Sequence, residues 1–100
     1  MSDQFRSTVV TISNPQGLHM RPAYLLADTA GQFESTIELI KDDIRVDGKS
    51  VLSILTLGAA QGSEVTVEAT GTDAAEAVDT LERLVASGFP APGPAEDSTP

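Results

Sequence analysis

Residues 14–23 read NPQGLHMRPA and hold the only histidine of the chain, His19, with Arg21 two positions later. A neutral imidazole is an effective nucleophile near pH 7. A guanidinium close by can donate two parallel hydrogen bonds to phosphate oxygens. These residue types suit the acceptance of a phosphoryl group on a histidine nitrogen, with the arginine neutralising the charge that arrives.

Pro22 indicates where this pair lies in the fold. Proline suits the first turn of a helix, where an N–H group would have no partner. His19 would then stand where a loop enters a helix, and the unpaired N–H groups of that helix end form a natural anion site. A histidine that merely caps the helix, beside an arginine in solvent, is the simpler alternative and on spacing alone the more frequent one.

Other motifs fail on their spacing. Residues 48–50 read GKS and resemble the end of a phosphate-binding loop, but Asp43 stands where that loop needs a glycine. A calcium loop would place Arg45 and Ile54 at ligand positions. With one histidine and no cysteine we expect no metal site. No nucleophile elbow accompanies His19, so a Ser-His-Asp arrangement is not indicated.

Composition limits the class of protein. The chain has 100 residues, enough for one domain, and its formal net charge of −9 argues against nucleic acid and against anionic membranes. No stretch approaches the roughly 20 apolar residues that span a bilayer. The polar residues 1–7 lead into no apolar signal core. We expect a soluble, cytoplasmic, full-length protein without cofactors.

The two ends of the chain differ in character. Residues 1–89 carry regular hydrophobic patterns and are predicted to form the domain. Residues 90–100 read PAPGPAEDSTP, with almost no bulky apolar side chain. Such a segment cannot bury enough apolar area to offset its ordering entropy, so we expect a disordered, Pro-rich acidic tail.

Hydrophobic periodicity predicts seven elements in the order βαββαβα. The predicted strands lie at residues 7–12 and around Ile37 and Leu39, Ile44 and Val46, and Val65, Val67 and Ala69, with a turn near Asp42 and Asp43. The predicted helices carry Ala23, Leu26, Ala27 and Ala30 before a stop at Gly31, then residues 51–57 after a Ser50 cap, then Ala74, Val78, Leu81 and Val85. Asp73 and Glu76 resemble a capping box before the last helix. Antiparallel strands with helices on one face would bury every one of these stripes.

Residues 17–23, GLHMRPA, resemble the active-site signature of the HPr family, the histidine phosphocarriers of the bacterial sugar phosphotransferase system. The similarity continues through KSV at residues 49–51, LG at 57–58, QGSEV at 61–65 and ATG at 69–71, and covers about residues 6–89. The resemblance implies an α+β fold, an open-faced β-sandwich in which a four-stranded antiparallel sheet carries three helices on one face.

The resemblance also implies a function. His19 would be phosphorylated on Nδ1 by the phosphohistidine of Enzyme I and would pass the phosphoryl group to a histidine of an Enzyme IIA component. Arg21 would stabilise the phosphate, and the backbone N–H groups of Met20 and Arg21 would complete its cradle. On this interpretation the protein is a monomeric phosphoryl carrier rather than a stand-alone enzyme.

Ser50 occupies the position of the regulatory serine in that family, the target of HPr kinase/phosphorylase. A phosphate there would add charge at a helix start, where a plain N-cap role is the alternative. The helix behind it is apolar nearly all round, so we expect one side to stay exposed, with Val51 and Leu52 as candidate partner contacts.

Two departures from the family pattern concern the partner. Met20 stands where a small residue is common, and the first helix carries Arg21 and Asp28 but no lysine, which weakens electrostatic steering or indicates a differently charged partner. Three alternatives stay open. The first is a carrier or regulator in a regulatory phosphorelay, such as a nitrogen-related branch, not coupled to sugar uptake. The others are a protein-binding regulator acting through the Ser50 helix on a transcription factor, and a small-molecule-sensing α+β module.

Overall fold

A computed structural model describes residues 4–90 of the chain. The order of elements is βαββαβα, as predicted. The elements are β1 (Gln4–Thr11), α1 (Met20–Ala30), β2 (Thr36–Lys41), β3 (Ile44–Asp47), α2 (Val51–Thr56), β4 (Glu64–Gly71) and α3 (Ala74–Ala86). None of these helices is long and apolar enough to cross a membrane. Residues 91–100 of the predicted tail lie outside the described residues.

The four strands form one antiparallel sheet in the order β1-β4-β2-β3. Alternate side chains of the strands point to one buried face, so that Val67 lies between Thr8 on β1 and Leu39 on β2. The α+β open-faced sandwich expected from the sequence is therefore the observed fold. The buried hydrophobic residues of the strands are Val10, Ile37, Leu39, Val65, Val67 and Ala69.

The helices cover this buried face through small side chains. The predicted stripe of α1 is buried throughout, and Ala23 and Ala30 are at most 1 % exposed. On α3 the buried positions include Ala74, Ala77 and Leu81. Alanine at these positions lets each helix lie close to its neighbours, so a core with few aromatic residues is still well packed.

The opposite face of the sheet is exposed and held together by charge. Arg45 on β3 places Nη1 2.7 Å from Oε1 of Glu38 on β2 and 2.7 Å from Oε1 of Glu68 on β4. One guanidinium therefore links three adjacent strands on the face that carries no helix.

Asp73 plays a different role from the predicted capping box. It occupies the N-cap position of α3, but its side chain makes no capping hydrogen bond. Its carboxylate accepts hydrogen bonds from the backbone N–H groups of Glu34 at 2.9 Å and Ser35 at 3.0 Å, and from the Ser35 hydroxyl. Asp73 therefore ties the start of α3 to the loop between α1 and β2.

These contacts change the titration of Asp73. The hydrogen bond from the buried Ser35 hydroxyl, followed by the one from the N–H group of Glu34, holds the pKa of Asp73 below its usual range. The stabilising contribution of Asp73 is complete above the unfolded pKa of about 4. It is lost as the pH falls through the lower pKa of the folded state.

We predict that Asp73→Asn lowers the melting temperature at pH 7 by several degrees, because the amide nitrogen replaces one carboxylate oxygen and leaves one of the two backbone N–H groups without its acceptor. The difference from the unsubstituted protein should shrink as the pH is lowered below about 4. Thermal denaturation followed by circular dichroism between pH 7 and pH 2 measures both effects.

Asp79→Asn is the matched control, since the Asp79 carboxylate pairs with Arg83 at 2.9 Å on the exposed side of the same helix. Surface pairs of this kind contribute little to stability, so the control should melt close to the unsubstituted protein. A gap between Asp73→Asn and the unsubstituted protein that stays constant down to pH 2 would contradict the assignment.

Candidate functional site

His19 is the N-cap residue of α1 and is exposed. Its backbone is held on both sides: the N–H group donates to the Gly17 carbonyl and the carbonyl accepts from the N–H group of Ala23, both at 3.0 Å. Its imidazole makes no capping hydrogen bond to the helix. The alternative in which His19 serves only as a helix cap is not what the structure has, and the ring nitrogens are available for chemistry.

The helix behind His19 begins with unpaired donors. The N–H groups of Met20 and Arg21 have no acceptor among residues 4–90, Pro22 has no N–H group, and the first bonded amide is that of Ala23. Two backbone donors therefore point out of the positive end of an 11-residue helix beside the histidine. This arrangement suits a dianionic phosphoryl group on the ring.

The loop before His19 is built by a tight turn and a close backbone contact. The N–H group of Gly17 donates to the Asn14 carbonyl at 3.0 Å, closing a four-residue turn with Pro15 at its second position. Gly17 has φ +69°, and a Cβ atom here would overlap the carbonyl oxygen of Ala59. The buried Leu18 donates its N–H group to the same oxygen at 2.9 Å. The loop is therefore pinned to the segment between α2 and β4.

Arg21 is held by the far end of the domain. Its guanidinium donates from Nη1 to the Pro90 carbonyl at 3.0 Å and from Nη2 to the Phe89 carbonyl. Phe89 is buried and has φ +53°, directly after Gly88 at φ +79°. Arg21 makes no ion pair with any other described residue. Its acceptors are neutral, so its positive charge is not cancelled by a carboxylate.

The structure confirms the capping role of Ser50. Ser50 is the N-cap residue of α2, and its Oγ accepts the N–H group of Ser53 at 3.2 Å. The hydroxyl is part-buried and already serves the helix, so its availability to a kinase does not follow from the geometry.

The expected exposed side of α2 is present and is joined by side chains of α1. Leu52 is 74 % exposed, whereas Val51 is only half-buried against the core. On α1, which packs beside α2, Met20 and Tyr24 are 59 % and 55 % exposed. We call these three exposed residues, Met20, Tyr24 and Leu52, on two helices that pack against each other, the apolar patch.

Sequence reasoning missed two parts of the site. The carbonyls of Phe89 and Pro90 give no signal, because every residue has a carbonyl. Asn14 had a weak signal, an asparagine at the first position of a turn followed by proline. In the structure its amide donates to the Gly17 carbonyl.

Comparison with known proteins supports what the geometry indicates. The family model described as "PTS HPr component phosphorylation site" matches residues 6–87. The phosphocarrier protein HPr of Treponema pallidum is 38 % identical over 80 residues, which cover 80 % of this chain and 91 % of that protein. The phosphocarrier protein NPr of Proteus mirabilis is 40 % identical over 81 residues, covering 80 % and 90 %.

Solved structures agree with these relatives. The crystal structure of HPr-C-His from Thermoanaerobacter tengcongensis superposes with a TM-score of 0.83 at 39 % identity, covering 88 % of this chain and 99 % of that one. Three observations lead to the same conclusion: the exposed histidine at the start of α1, the unpaired amides behind it and the family match along nearly the whole domain. The chain belongs to the HPr family of phosphocarrier proteins of the bacterial phosphotransferase system.

Proposed function

We propose that the protein accepts a phosphoryl group on His19 from the phosphohistidine of an Enzyme I and passes it to a histidine of an Enzyme IIA component. The observation that carries this proposal is the exposed imidazole of His19, free of a capping bond and next to the unpaired N–H groups of Met20 and Arg21. The chain acts as a carrier, because the phosphoryl group rests on its own side chain between two transfers.

Each transfer is an exchange between two imidazoles. The lone pair of a His19 ring nitrogen forms a bond to phosphorus as the bond from phosphorus to the donor nitrogen breaks, and that electron pair returns to the donor ring. No redox partner is needed. The helix N–H groups and the Arg21 guanidinium neutralise the charge that arrives, which is the main requirement of phosphoryl transfer.

Arg21 can turn to the phosphate by exchanging its present carbonyl contacts for contacts with phosphate oxygens. A guanidinium has five N–H groups, and the carbonyls of Phe89 and Pro90 each take one of them. A phosphate oxygen forms a stronger hydrogen bond with a guanidinium than a neutral carbonyl does. The arriving phosphoryl group therefore competes successfully for part of the Arg21 side chain.

The first test is phosphorylation itself. Incubation of the full chain with phosphoenolpyruvate and the Enzyme I of its own organism is expected to add one acid-labile phosphoryl group per chain, measured by intact-mass spectrometry. His19→Ala should keep its circular dichroism spectrum and its melting temperature, because His19 is an exposed loop residue, and should take up no phosphate. A chain that is not phosphorylated, or a His19→Ala variant that is, contradicts the proposal.

The second test concerns Arg21. We expect Arg21→Ala to slow single-turnover phosphorylation by roughly ten- to hundredfold without abolishing it, because one charged donor is lost while the helix amides remain. The phosphorylation rate of Arg21→Lys should lie between those of Arg21→Ala and the unsubstituted chain, since the lysine ammonium keeps the positive charge but cannot make the forked contact. Rapid-quench measurement of phosphohistidine formation gives these rates.

Arg45→Ala is the matched control for charge, because Arg45 lies on the face of the sheet that carries no helix. It should be phosphorylated at the rate of the unsubstituted chain. Equal rates for Arg21→Ala and Arg45→Ala would remove Arg21 from the mechanism.

We further propose that the partners dock on the apolar patch and on Val51. Apolar side chains exposed beside a reactive residue are typical of partner contacts, and α1 has Arg21 as its only basic residue. Docking therefore depends on apolar burial more than on attraction between charges.

We predict that Leu52→Ala raises the dissociation constant for Enzyme I by about five- to tenfold, because the variant buries less apolar area on binding. Val9→Ala is the control, since Val9 is 57 % exposed but lies on the far face of β1. Isothermal titration calorimetry compares the two, and an unchanged affinity for Leu52→Ala would place docking elsewhere.

Regulation at Ser50 and the branch served by the carrier are finer proposals. A phosphate on Ser50 from an HPr kinase/phosphorylase would add negative charge at the start of α2, next to Val51 and Leu52. Such a phosphate is acid-stable, so the same mass measurement separates it from the phosphate of His19. The identity of the acceptor protein decides between sugar uptake and a regulatory phosphorelay. The cytoplasmic location expected from the sequence remains a prediction.

A further inference from the structure

Asn14 lies between β1 and α1 and is bonded twice to Gly17. Its backbone carbonyl accepts the Gly17 N–H group at 3.0 Å, and its side-chain Nδ2 donates to the Gly17 carbonyl. The side-chain amide therefore closes the turn from the second side and holds the peptide plane that follows Gly17.

This peptide plane is also the one that holds His19. The Gly17 carbonyl oxygen accepts the His19 N–H group at 3.0 Å as well as the Asn14 amide, so both of its acceptor positions are taken. A rotation of this carbonyl would move the His19 backbone, and with it the point from which the imidazole leaves the chain. The Asn14 amide and the His19 N–H group therefore share a single acceptor oxygen.

The other half of the Asn14 side chain gives independent evidence. Its Oδ1 atom is buried and accepts no hydrogen bond from any residue in the described part of the chain. A buried acceptor without a donor is unfavourable for folding, and each such group in a native structure needs an explanation. A residue without this oxygen would avoid the penalty, so stability alone does not account for an asparagine here.

We propose that Asn14 is a positioning residue for His19, selected for its Nδ2 donor in spite of its buried Oδ1. This inference rests on the proposed function and adds a residue to it. Asn14 acts through the Gly17 carbonyl and touches neither the phosphoryl group nor the partner. Its effect is to keep the ring nitrogen of His19 aligned with the cradle formed by the Met20 and Arg21 amides.

The test separates positioning from stability. Asn14→Ala should melt within about 2 °C of the unsubstituted chain, because loss of the Gly17 bond is offset by removal of the buried acceptor. Its single-turnover phosphorylation by Enzyme I should be about tenfold slower, since small misalignments of reacting groups are costly. The KM for Enzyme I should stay within about twofold, because the apolar patch is untouched.

Two further variants test the donor itself. Asn14→Ser offers a hydroxyl that can donate to the same carbonyl and should recover part of the rate. Asn14→Asp presents no donor at neutral pH and should be at least as slow as Asn14→Ala, and it should also melt lower, because its carboxylate is partly buried against the Gly17 carbonyl. A purely structural role would instead give Asn14→Ala a lower melting temperature and an unchanged rate for the folded protein.

Gln61→Ala is the matched control, because the Gln61 amide donates to the Ser13 carbonyl at 3.0 Å, in the same loop but away from Gly17. It should be phosphorylated at the rate of the unsubstituted chain. A rate for Asn14→Ala equal to that of Gln61→Ala overturns the proposal. If instead the unsubstituted chain takes up no phosphate, the proposed function fails, and this outcome is distinct from the first.

Discussion

The close approach of Gly17 to the Ala59 carbonyl is the constraint on which the site depends. Gly17 lies at φ +69° with no room for a Cβ atom, and the N–H group of Leu18 bonds to the same carbonyl. Two loops therefore touch backbone to backbone, one leading into α1 and the other leaving α2. This contact joins the loop that precedes His19 to the segment that follows α2, the helix that carries the exposed Leu52.

Local charge near His19 runs against the charge of the whole chain. The formal net charge is −9, yet the two residues that follow the histidine, Met20 and Arg21, supply unpaired helix N–H donors and one guanidinium within the described residues. That guanidinium rests on the neutral carbonyls of Phe89 and Pro90, not on a carboxylate. A carboxylate would bind Arg21 more tightly and leave less for a phosphate. The overall acidity therefore says little about the affinity of the site for an anion.

The sequence predicted the helices and strands, because their hydrophobic residues repeat with a local period. It did not predict the hydrogen bonds that join polar groups distant in the chain. The alternation of Val65, Val67 and Ala69 and the alanine stripes of α1 and α3 gave the elements, their buried faces and their order. The start of β1 at Gln4, earlier than predicted, lies in a polar exposed stretch where pairing with β4 continues without an alternating pattern. The Asp73 contact with Ser35 joins residues 38 positions apart and leaves no trace in either segment.

The same difference between local patterns and long-range contacts holds within the site. His19 and Arg21 were predicted as site residues because few residue types can do their chemistry and because residues 17–23 resemble a known signature, whereas spacing alone favoured the capping alternative. Pro22 indicated their place at a helix start. The acceptors of the Arg21 side chain were not predictable, since backbone carbonyls are common to all residues and the relevant ones lie 68 and 69 positions away. The sequence shows which residue types are present, whereas the hydrogen-bond partners of a side chain depend on which distant segments of the chain the fold brings together.

A carrier must bind its phosphoryl group well enough to accept it and weakly enough to release it. Contacts that stabilise the phosphorylated state alone would slow the second transfer as much as they favour the first. In the proposed mechanism Arg21 gives up hydrogen bonds to the carbonyls of Phe89 and Pro90 when it turns to the phosphate, so only the difference between the two sets of contacts is gained. The backbone of His19 is likewise held by two hydrogen bonds, whereas its imidazole makes no capping bond to the helix, so in this mechanism the ring can face a donor and then an acceptor without disturbing the amides behind it. In the proposed mechanism, a cradle with a modest net gain lets one histidine serve both partners.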